Sequence, residues 1–209
     1  NQSFNVSDRY IFGITMGAYS IDYSRESYYE ELGMDGNYYD FSNWYETTGE
    51  GFDLKFGFIC RPVQSSPFRF GISVHTPTWY DMEDVNGSVL YYNNEFVVEK
   101  IADPFRYSYR TPWKFGLSLG HTIGNYIALG AEYNYSDVST AKYSSADWNN
   151  DAYFRNINEI TKNTLKSQHT IKLGMEVKPS NELSVRVGYN FISSPFKSDA
   201  YRTIQYDSP

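Results

Sequence analysis

The sequence predicts an all-β protein in which antiparallel strands run up and down one sheet. The first observation is the alternation of apolar and non-apolar residues through TIKLGMEVKPSNELSVRVGYNF, residues 170–191, on both sides of a Pro/Asn turn. Period-two alternation across such a turn indicates an antiparallel hairpin with one apolar face. The second observation is a repeated strand template, and the third is a regular exchange of short and long connections.

One template fits six segments, each of which reads apolar, polar or small, apolar, Gly, apolar, mostly polar, apolar. The glycines lie 14 residues apart within each pair of segments, and successive pairs lie 59 and 58 residues apart. This spacing predicts three equivalent hairpins. The segments are LKFGFIC (54–60), FRFGISV (68–74), WKFGLSL (113–119), IALGAEY (127–133), IKLGMEV (171–177) and VRVGYNF (185–191).

The predicted hairpins also suggest a register. If each hairpin is symmetric about its turn, the paired glycines face each other, Lys114 lies opposite Glu132, and Glu176 lies opposite Arg186. Unlike charges at opposed positions favour a register by roughly 0.2–1 kcal/mol per pair.

A further strand is predicted in RYIFGITMGAYS, residues 9–20, which brings the total to about seven. Because the strands alternate in direction, all short connections lie at one end of the sheet and all long connections lie at the other. The short connections are predicted at 61–67, 121–125 and 179–182, and the long ones at 21–50, 76–108 and 137–168.

The long connections contain some local structure signals. Asp35-Gly36 and Asn86-Gly87 are typical of tight hairpin turns. Apolar residues at helical spacing predict one short helix over 153–165.

Composition excludes several classes of protein. The net charge of −7 gives no basic surface for nucleic acid, so no nucleic-acid partner is expected. The one cysteine, Cys60, allows neither an internal disulfide nor a metal cluster, and neither a metal nor another cofactor is expected. No apolar run of 18 residues is present, although strands need only about 9–11 tilted residues to cross a bilayer.

Three features predict which face of the sheet is inside. The strand glycines all lie on the polar face, the apolar face carries large side chains, and aromatic residues concentrate near strand ends. Together with the segregated turns, these features are typical of outer-membrane barrels. We therefore predict a transmembrane antiparallel up-and-down β-barrel with periplasmic short turns and extracellular long loops. The alternative is a soluble β-sandwich, whose apolar face would be its core.

In a barrel of this kind, the polar residues of each strand face the lumen. Their mixed charges are interpreted first as a structural ladder in a wet barrel and second as a ligand site. The predicted pore-lining residues are Asp53, Lys55, Arg69, Ser73, His75, Lys114, Glu132, Asn134, Lys172, Glu176, Arg186 and Asn190.

Several stretches resemble the FadL/TodX family of outer-membrane transport proteins, and members from the Bacteroidetes in particular. They are RYIFGITMGAYSIDYSRESYYEE (9–31), HTPTWYDM (75–82), YRTPWKFGLSLGHTIGNYIALGAEYNYSDVSTAKY (109–143) and NINEITKNTLKSQHTIKLGMEVKPSNELSVRVGYNFISSPFK (156–197). The order of these segments is more specific than any one of them.

The resemblance implies a monomeric barrel of about 14 strands in the bacterial outer membrane. It also implies passive uptake of hydrophobic small molecules such as long-chain fatty acids. Outer-membrane lipid and a hydrophobic ligand are the expected partners. The family's N-terminal plug, its kinked strand and its closing strands have no counterpart here, so the sequence is interpreted as an internal part of such a protein, and no ligand-contacting residue is carried over.

Other functions remain as alternatives. A barrel with Tyr-rich loops can serve as a structural or partner-binding surface protein. Ser73, His75 and Asp53 superficially suit nucleophilic catalysis, but residues two apart on a strand are about 7 Å apart, so an enzyme is not expected. The histidines His75, His121 and His169 are not expected to converge on a haem, because His121 is placed in a short turn.

Overall fold

The structure, a computed structural model, describes residues 1–34, 36–145, 151–180 and 182–200. Within these ranges the chain forms twelve β-strands, one α-helix of 14 residues and one 3-10 turn at Val138–Thr140. The elements are β1 (Gln2–Val6), β2 (Tyr10–Leu32), β3 (Tyr38–Cys60), β4 (Arg69–His75), β5 (Trp79–Tyr92), β6 (Glu95–Ile101), β7 (Phe105–Arg110), β8 (Lys114–Ile123), β9 (Ile127–Asp137), β10 (Lys142–Ser145), α1 (Asp151–Thr164), β11 (Ser167–Val177) and β12 (Val185–Ile192).

The sheet is organised by β3, whose 23 residues pair with two strands in succession along one edge. Its first part pairs with β5, its last part pairs with β4, and β2 follows its other edge. From β4 the order continues through β8, β9 and β11 to β12, and from β5 it continues through β7 to β10. All neighbouring strands are antiparallel, which confirms the predicted up-and-down sheet, and the sheet is not closed.

The seven predicted strands are confirmed as β2, the last part of β3, β4, β8, β9, β11 and β12. We call the first half of β2 together with the other six of these strands the lower sheet. The upper sheet consists of the second half of β2, the first half of β3, and β5, β6, β7 and β10. The three short connections lie together at the free end of the lower sheet, as predicted, because β3, β8 and β11 all end there.

The predicted register is correct in the third hairpin. Gly174 faces Gly188, and Glu176 faces Arg186, across β11 and β12. It is wrong in the other two, because Lys114 faces Ser136 rather than Glu132.

The turns explain the difference. Instead of ending at 120, β8 continues through His121 to Ile123 and reaches β9 by the three residues 124–126. Gly124 adopts φ +55 there, a conformation that glycine accepts without a steric cost. The centre of this hairpin lies two residues later than predicted, and every partner is therefore displaced by four. The first hairpin shifts in the same direction, so that Gly57 faces Ser73 rather than Gly71.

The long connections are mostly regular structure. Residues 21–50 extend β2 and β3 into one long hairpin, and residues 76–108 contain β5, β6 and part of β7. The Asn86-Gly87 turn is wrong, because both residues lie within β5 and pair with β3. The β5–β6 hairpin turns at Asn93-Asn94 instead, and both residues have positive φ, as a two-residue turn of this type requires. The other predicted turn includes Asp35, which lies outside the described residues.

The predicted helix is confirmed as α1. It packs against the upper sheet through Phe154, which is 4% exposed and whose ring lies 5.7 Å from that of Phe105. Asn158 also holds the free edge of β10, since its amide donates to the Tyr143 carbonyl and its oxygen accepts from the Tyr143 N–H. No helix among the described residues is long and apolar enough to cross a membrane.

The two faces of the lower sheet differ in chemistry. On one face, which we call the apolar face, the register aligns large apolar side chains in continuous rows. One such row crosses seven strands and consists of Phe12, Phe58, Ile72, Leu117, Tyr133, Ile171 and Phe191. The opposite face, the polar face, carries the glycines and the charged side chains.

The apolar face has no covering layer in the described part of the chain. Leu117 on β8 is 54% exposed and Leu173 on β11 is 50% exposed, although each lies on a strand that has a paired neighbour on both sides. The buried hydrophobic residues among those described are four, Cys60, Ala141, Phe154 and Ala200. The described residues therefore form no hydrophobic core of the kind that lies between the two sheets of a soluble sandwich.

Candidate functional site

Three neighbouring strands of the lower sheet, β4, β8 and β9, are separated from the upper-sheet strands β5, β7 and β10 by short breaks at the same level. The interruptions are 76–78 between β4 and β5, 111–113 between β7 and β8, and 138–141 between β9 and β10. Pro77 and Pro112 account for two of them, because proline has no N–H to donate to a strand ladder. We call these three segments the seam, and it separates the lower sheet from the upper sheet.

Threonine hydroxyls replace the backbone hydrogen bonds that are lost at the seam. The Leu54 N–H donates to Thr76 Oγ1 at 3.0 Å, and the Thr78 N–H donates to Thr111 Oγ1 at 2.8 Å. The Thr76 N–H in turn donates to the Leu54 carbonyl at 2.9 Å. Since buried backbone groups need partners, these bonds let the sheet cross the seam at little cost.

A buried carboxylate lies directly beside the seam. Asp53 is 4% exposed, and its Oδ2 accepts from the Tyr19 hydroxyl at 2.9 Å and from Thr78 Oγ1 at 3.2 Å. Lys55 Nζ lies 3.7 Å from the same oxygen and donates to the Tyr19 hydroxyl at 2.9 Å. Asp53 Oδ1 has no hydrogen-bond partner and lies over Gly17, where an added Cβ would be 2.6 Å away.

Three basic side chains occupy directly opposed positions on the polar face just below the seam. Lys55 faces His75, and His75 faces Lys114, across β3, β4 and β8. Because Lys55 and Lys114 lie on either side of one imidazole, both ammonium groups need negative charge nearby. Asp53 supplies it to Lys55, whereas Lys114 forms no ion pair with any residue that the structure describes. We call these three residues the basic row.

A row of tyrosine rings lies on the same face directly above the seam. Tyr19, Tyr80, Tyr109 and Tyr143 follow one another across the sheet, with ring centroids 6.1, 6.3 and 4.6 Å apart. Between the first two, the ring of Tyr80 covers Gly51, where a Cβ would be 2.4 Å from it. We call these four residues the tyrosine wall.

Burial is the main influence on the titration of this aromatic surface. It raises the pKa values of Tyr109 and Tyr143 above that of a free tyrosine. It also raises the pKa of the neighbouring Tyr107 to about 12, and the carboxylate of Asp84 contributes to that shift. These rings therefore stay neutral hydrogen-bonding groups at ordinary pH.

A cavity of about 580 Å³ joins the basic row to the tyrosine wall. His75 and Lys114 line one side, and Tyr109 with Pro112 lines another. Its floor includes Gly116, where an added Cβ would clash with Ser73 Oγ and Asn134 Oδ1, so a larger residue would displace these two side chains. The volume lies within the range of small-molecule sites.

The registers place all twelve predicted pore-lining residues on the polar face. Away from the seam, Lys172 and Arg186 have carboxylate partners, whereas Arg69 forms no ion pair with any described residue. Lys172 Nζ lies 3.0 Å from Glu132 Oε1, which also accepts from Asn134. Arg186 Nε lies 2.5 Å from Glu176 Oε2. The structure brings four others of the set, Asp53, Lys55, His75 and Lys114, together at the seam.

The catalytic arrangement considered from the sequence does not form. It required Asp53 opposite His75, but Lys55 occupies that position, and Asp53 is bound to Tyr19 and Thr78. Ser73 lies two residues before His75 on β4 and faces Gly57 and Gly116.

The histidines lie apart on the sheet. His121 is in β8 rather than in a turn, and it shares the apolar face with His169. His169 lies near the opposite end of that face, where its Nδ1 is 2.7 Å from the Tyr133 hydroxyl. His75 is on the polar face.

The sequence reasoning missed the tyrosine wall, the threonines of the seam and the cavity. A signal for them was present in two similar stretches, HTPTW (75–79) and RTPWK (110–114). Each places a Thr-Pro pair after a strand, and two such interruptions in adjacent strands predict a break at one level.

The fold and this arrangement were compared with known proteins. No protein-family model, no curated protein and no solved structure matches the chain.

Proposed function

We propose that this chain forms part of the wall of a bacterial outer-membrane β-barrel that allows passive uptake of hydrophobic small molecules. The observation that carries the proposal is the apolar face, which is continuous over seven strands and has no covering layer in the described part of the chain. Such a face is stable when lipid covers it, and the polar face then lines a lumen.

The height of the apolar face fits a bilayer. On β2 it extends from Tyr10 to Ala18, and on β3 from Phe52 to Cys60, nine residues in each case. Nine residues span about 30 Å along a strand and about 22 Å after a tilt of about 40–45°, close to the apolar band of outer-membrane barrels.

The two borders of this band also fit a membrane interface. At the seam, the rings of Phe52 and Trp79 stack 5.0 Å apart, and Trp113 stacks on Phe115. At the short turns, Tyr126 is 66% exposed. Aromatic rings concentrate at both interfaces of membrane barrels.

Above the seam the same surface changes to acidic residues. Its first rows include Glu50, Asp81 and Glu83, in place of the apolar side chains below. A change of this kind at one level marks the border between hydrocarbon and water, because ionised carboxylates do not enter hydrocarbon without a partner.

In a membrane, a sheet of this kind must also close into a barrel. The edges of the described sheet, β1 and β12, have unpaired backbone groups, which hydrocarbon does not tolerate. Further strands must therefore pair with these edges in the membrane. The resemblance to the FadL/TodX family supports a larger barrel and makes long-chain fatty acids one candidate class of solute.

Two adjacent residues of β11 provide a direct test. Lys172 and Leu173 lie on opposite faces, so each is replaced by cysteine in full-length protein that carries Cys60→Ser. In intact outer membranes we expect a charged, water-soluble maleimide to label Lys172→Cys and a lipid-soluble maleimide to label Leu173→Cys. Equal labelling of both positions by the water-soluble reagent would overturn the membrane assignment.

Uptake is tested separately from topology. Deletion of the gene is expected to slow the entry of a fluorescent hydrophobic solute, and the plasmid-borne protein is expected to restore it. If the labelling pattern holds and uptake is unchanged by deletion, the barrel has another role.

A partner-binding barrel is the second candidate function. The upper sheet favours it because Tyr28 and Tyr29 are 59% and 58% exposed and β6 is exposed along its whole length. Aromatic residues are enriched in protein interfaces. This role predicts that replacing both tyrosines with serine abolishes binding of a surface protein and leaves solute uptake unchanged.

A further inference from the structure

We infer that the cavity at the seam binds small organic anions that carry a flat ring, rather than flexible acyl chains. This inference rests on the proposed function, because it names the class of solute that the polar face would select. The anionic group is assigned to the end of the cavity at Lys114 and His75, and the ring to the end at Tyr109.

The balance of charges around the cavity supports the binding of an anionic group at Lys114. Around the cavity, Glu132 is matched by Lys172, and Lys55 is matched by Asp53. Lys114 remains without a counter-charge among the described residues and faces a second base, His75. A bound carboxylate or phosphate would supply the negative charge that Lys114 lacks and would accept a hydrogen bond from the His75 imidazole.

The floor of the cavity at this end also offers a hydrogen-bonding group to an anion. Ser73 Oγ and Asn134 Oδ1 occupy the space that a side chain at position 116 would need, so Gly116 allows both polar groups to form the floor of the cavity. The Ser73 hydroxyl makes no hydrogen bond with any described residue and can donate to an anion.

The distribution of apolar groups supports the ring. Tyr80 and Tyr109 stack with an interplanar angle of 15°, and the Tyr109 ring lines the cavity. Rings of this kind bind other flat rings by stacking or edge contacts.

An acyl chain would find little support on this surface. Below the basic row, the polar face of the described strands consists mainly of glycine, serine and charged residues. Its larger aliphatic side chains lie at strand ends, at Ile11, Ile59 and Ile192. A flexible chain extending down the face would therefore lie against polar groups instead of replacing water at an apolar surface.

The test is equilibrium binding to the full-length protein in lipid nanodiscs, measured by calorimetry. The probes are 2-naphthoate, decanoate, 2-naphthalenemethanol and inorganic phosphate. They separate the contributions of ring, acyl chain and charge. We expect 2-naphthoate to bind at least about tenfold more tightly than each of the others, because only it uses both ends of the cavity.

Two variants assign the two ends. Lys114→Gln is expected to weaken 2-naphthoate binding about tenfold, and Tyr109→Leu is expected to weaken it by a similar factor. Arg69→Gln is the matched control, because Arg69 is a base on the same face, on the same strand as His75, but does not line the cavity. We expect it to leave binding unchanged.

Decanoate binding as tight as that of 2-naphthoate would overturn the preference for a ring. Phosphate binding as tight as that of 2-naphthoate would overturn the need for an organic body. Binding that is insensitive to Lys114→Gln, or equally sensitive to Arg69→Gln, would overturn the assigned anion site. Binding is measured without any transport step. If the proposed transport function is wrong, the protein would therefore still bind 2-naphthoate but would not take up solute.

Discussion

Asp53 lies directly across from Gly17, and its carboxylate occupies the space that a side chain at position 17 would need. The two residues are partners on β3 and β2, and a Cβ on Gly17 would lie 2.6 Å from Asp53 Oδ1 and 2.8 Å from the Tyr19 hydroxyl. The buried carboxylate and its hydrogen bonds therefore depend on a glycine in the neighbouring strand.

Gly17→Ala is expected to destabilise the protein by about 1–3 kcal/mol, because the methyl group must displace Asp53 from its bonds to Tyr19 and Thr78. Gly13→Ala is the matched control, since Gly13 lies on the same strand and face with no atom within 4 Å of its added Cβ. Urea unfolding in lipid vesicles measures both variants. Equal stability of the two would show that the Asp53 cluster adjusts freely.

Removing the charge of Asp53 should affect stability and anion binding in opposite directions. Asp53→Asn removes the counter-charge of Lys55. Lys55 is then a second unpaired base in the row with His75 and Lys114 and can attract an anion. We expect the variant to unfold at lower urea concentration and to bind 2-naphthoate more tightly than the parent. Weaker binding would mean that Asp53 itself contacts the ligand.

The contact between α1 and β10 depends on one amide side chain. Asn158→Ala removes both hydrogen bonds to the Tyr143 backbone and should raise hydrogen exchange at 142–145, with a cost of about 1–3 kcal/mol. Asn156→Ala, at an exposed position of the same helix, is the control and should leave exchange unchanged. If both variants exchange alike, the helix is held by Phe154 instead.

Alkaline pH should destabilise the upper sheet through Tyr107. Its pKa is raised from 10.0 to about 12 in the folded protein, chiefly by burial. The resulting stability is fully present below pH 10 and is lost as the pH rises towards 12, because the unfolded chain releases this proton first. Tyr107→Phe should therefore lose less stability than the parent between pH 9 and pH 12 in urea titrations. An identical loss in both proteins would assign the alkaline transition to other groups.

The sequence was a good guide where one strand's own pattern decided the outcome. Alternation in Ile171–Val177 and its counterparts placed the lower strands and their faces, since side chains of a strand must point alternately to its two sides. Pairing was less predictable. The register of the second hairpin depends on where β8 turns, and Gly124 decided that position rather than Ile123, the centre of the predicted turn at 121–125.

The candidate site shows the same division. The sequence supplied the twelve polar-face residues but could not tell which of them would meet. Lys55, His75 and Lys114 come from three strands. Their alignment follows from the β3–β4 register, which hairpin symmetry predicted incorrectly, and from the β4–β8 register, which hairpin symmetry does not address. The tyrosine wall combines residues as far apart as Tyr19 and Tyr143, which no local pattern connects.

By itself, the sequence determined an antiparallel sheet with one apolar and one polar face, because period-two alternation is a local consequence of backbone geometry. The tertiary structure alone decided that two Thr-Pro interruptions and a 3-10 turn lie at one level, and that a buried carboxylate, a basic row and a wall of tyrosines meet there. Those relationships depend on register and turn length, which are set by pairing between strands rather than by the residues of any one strand.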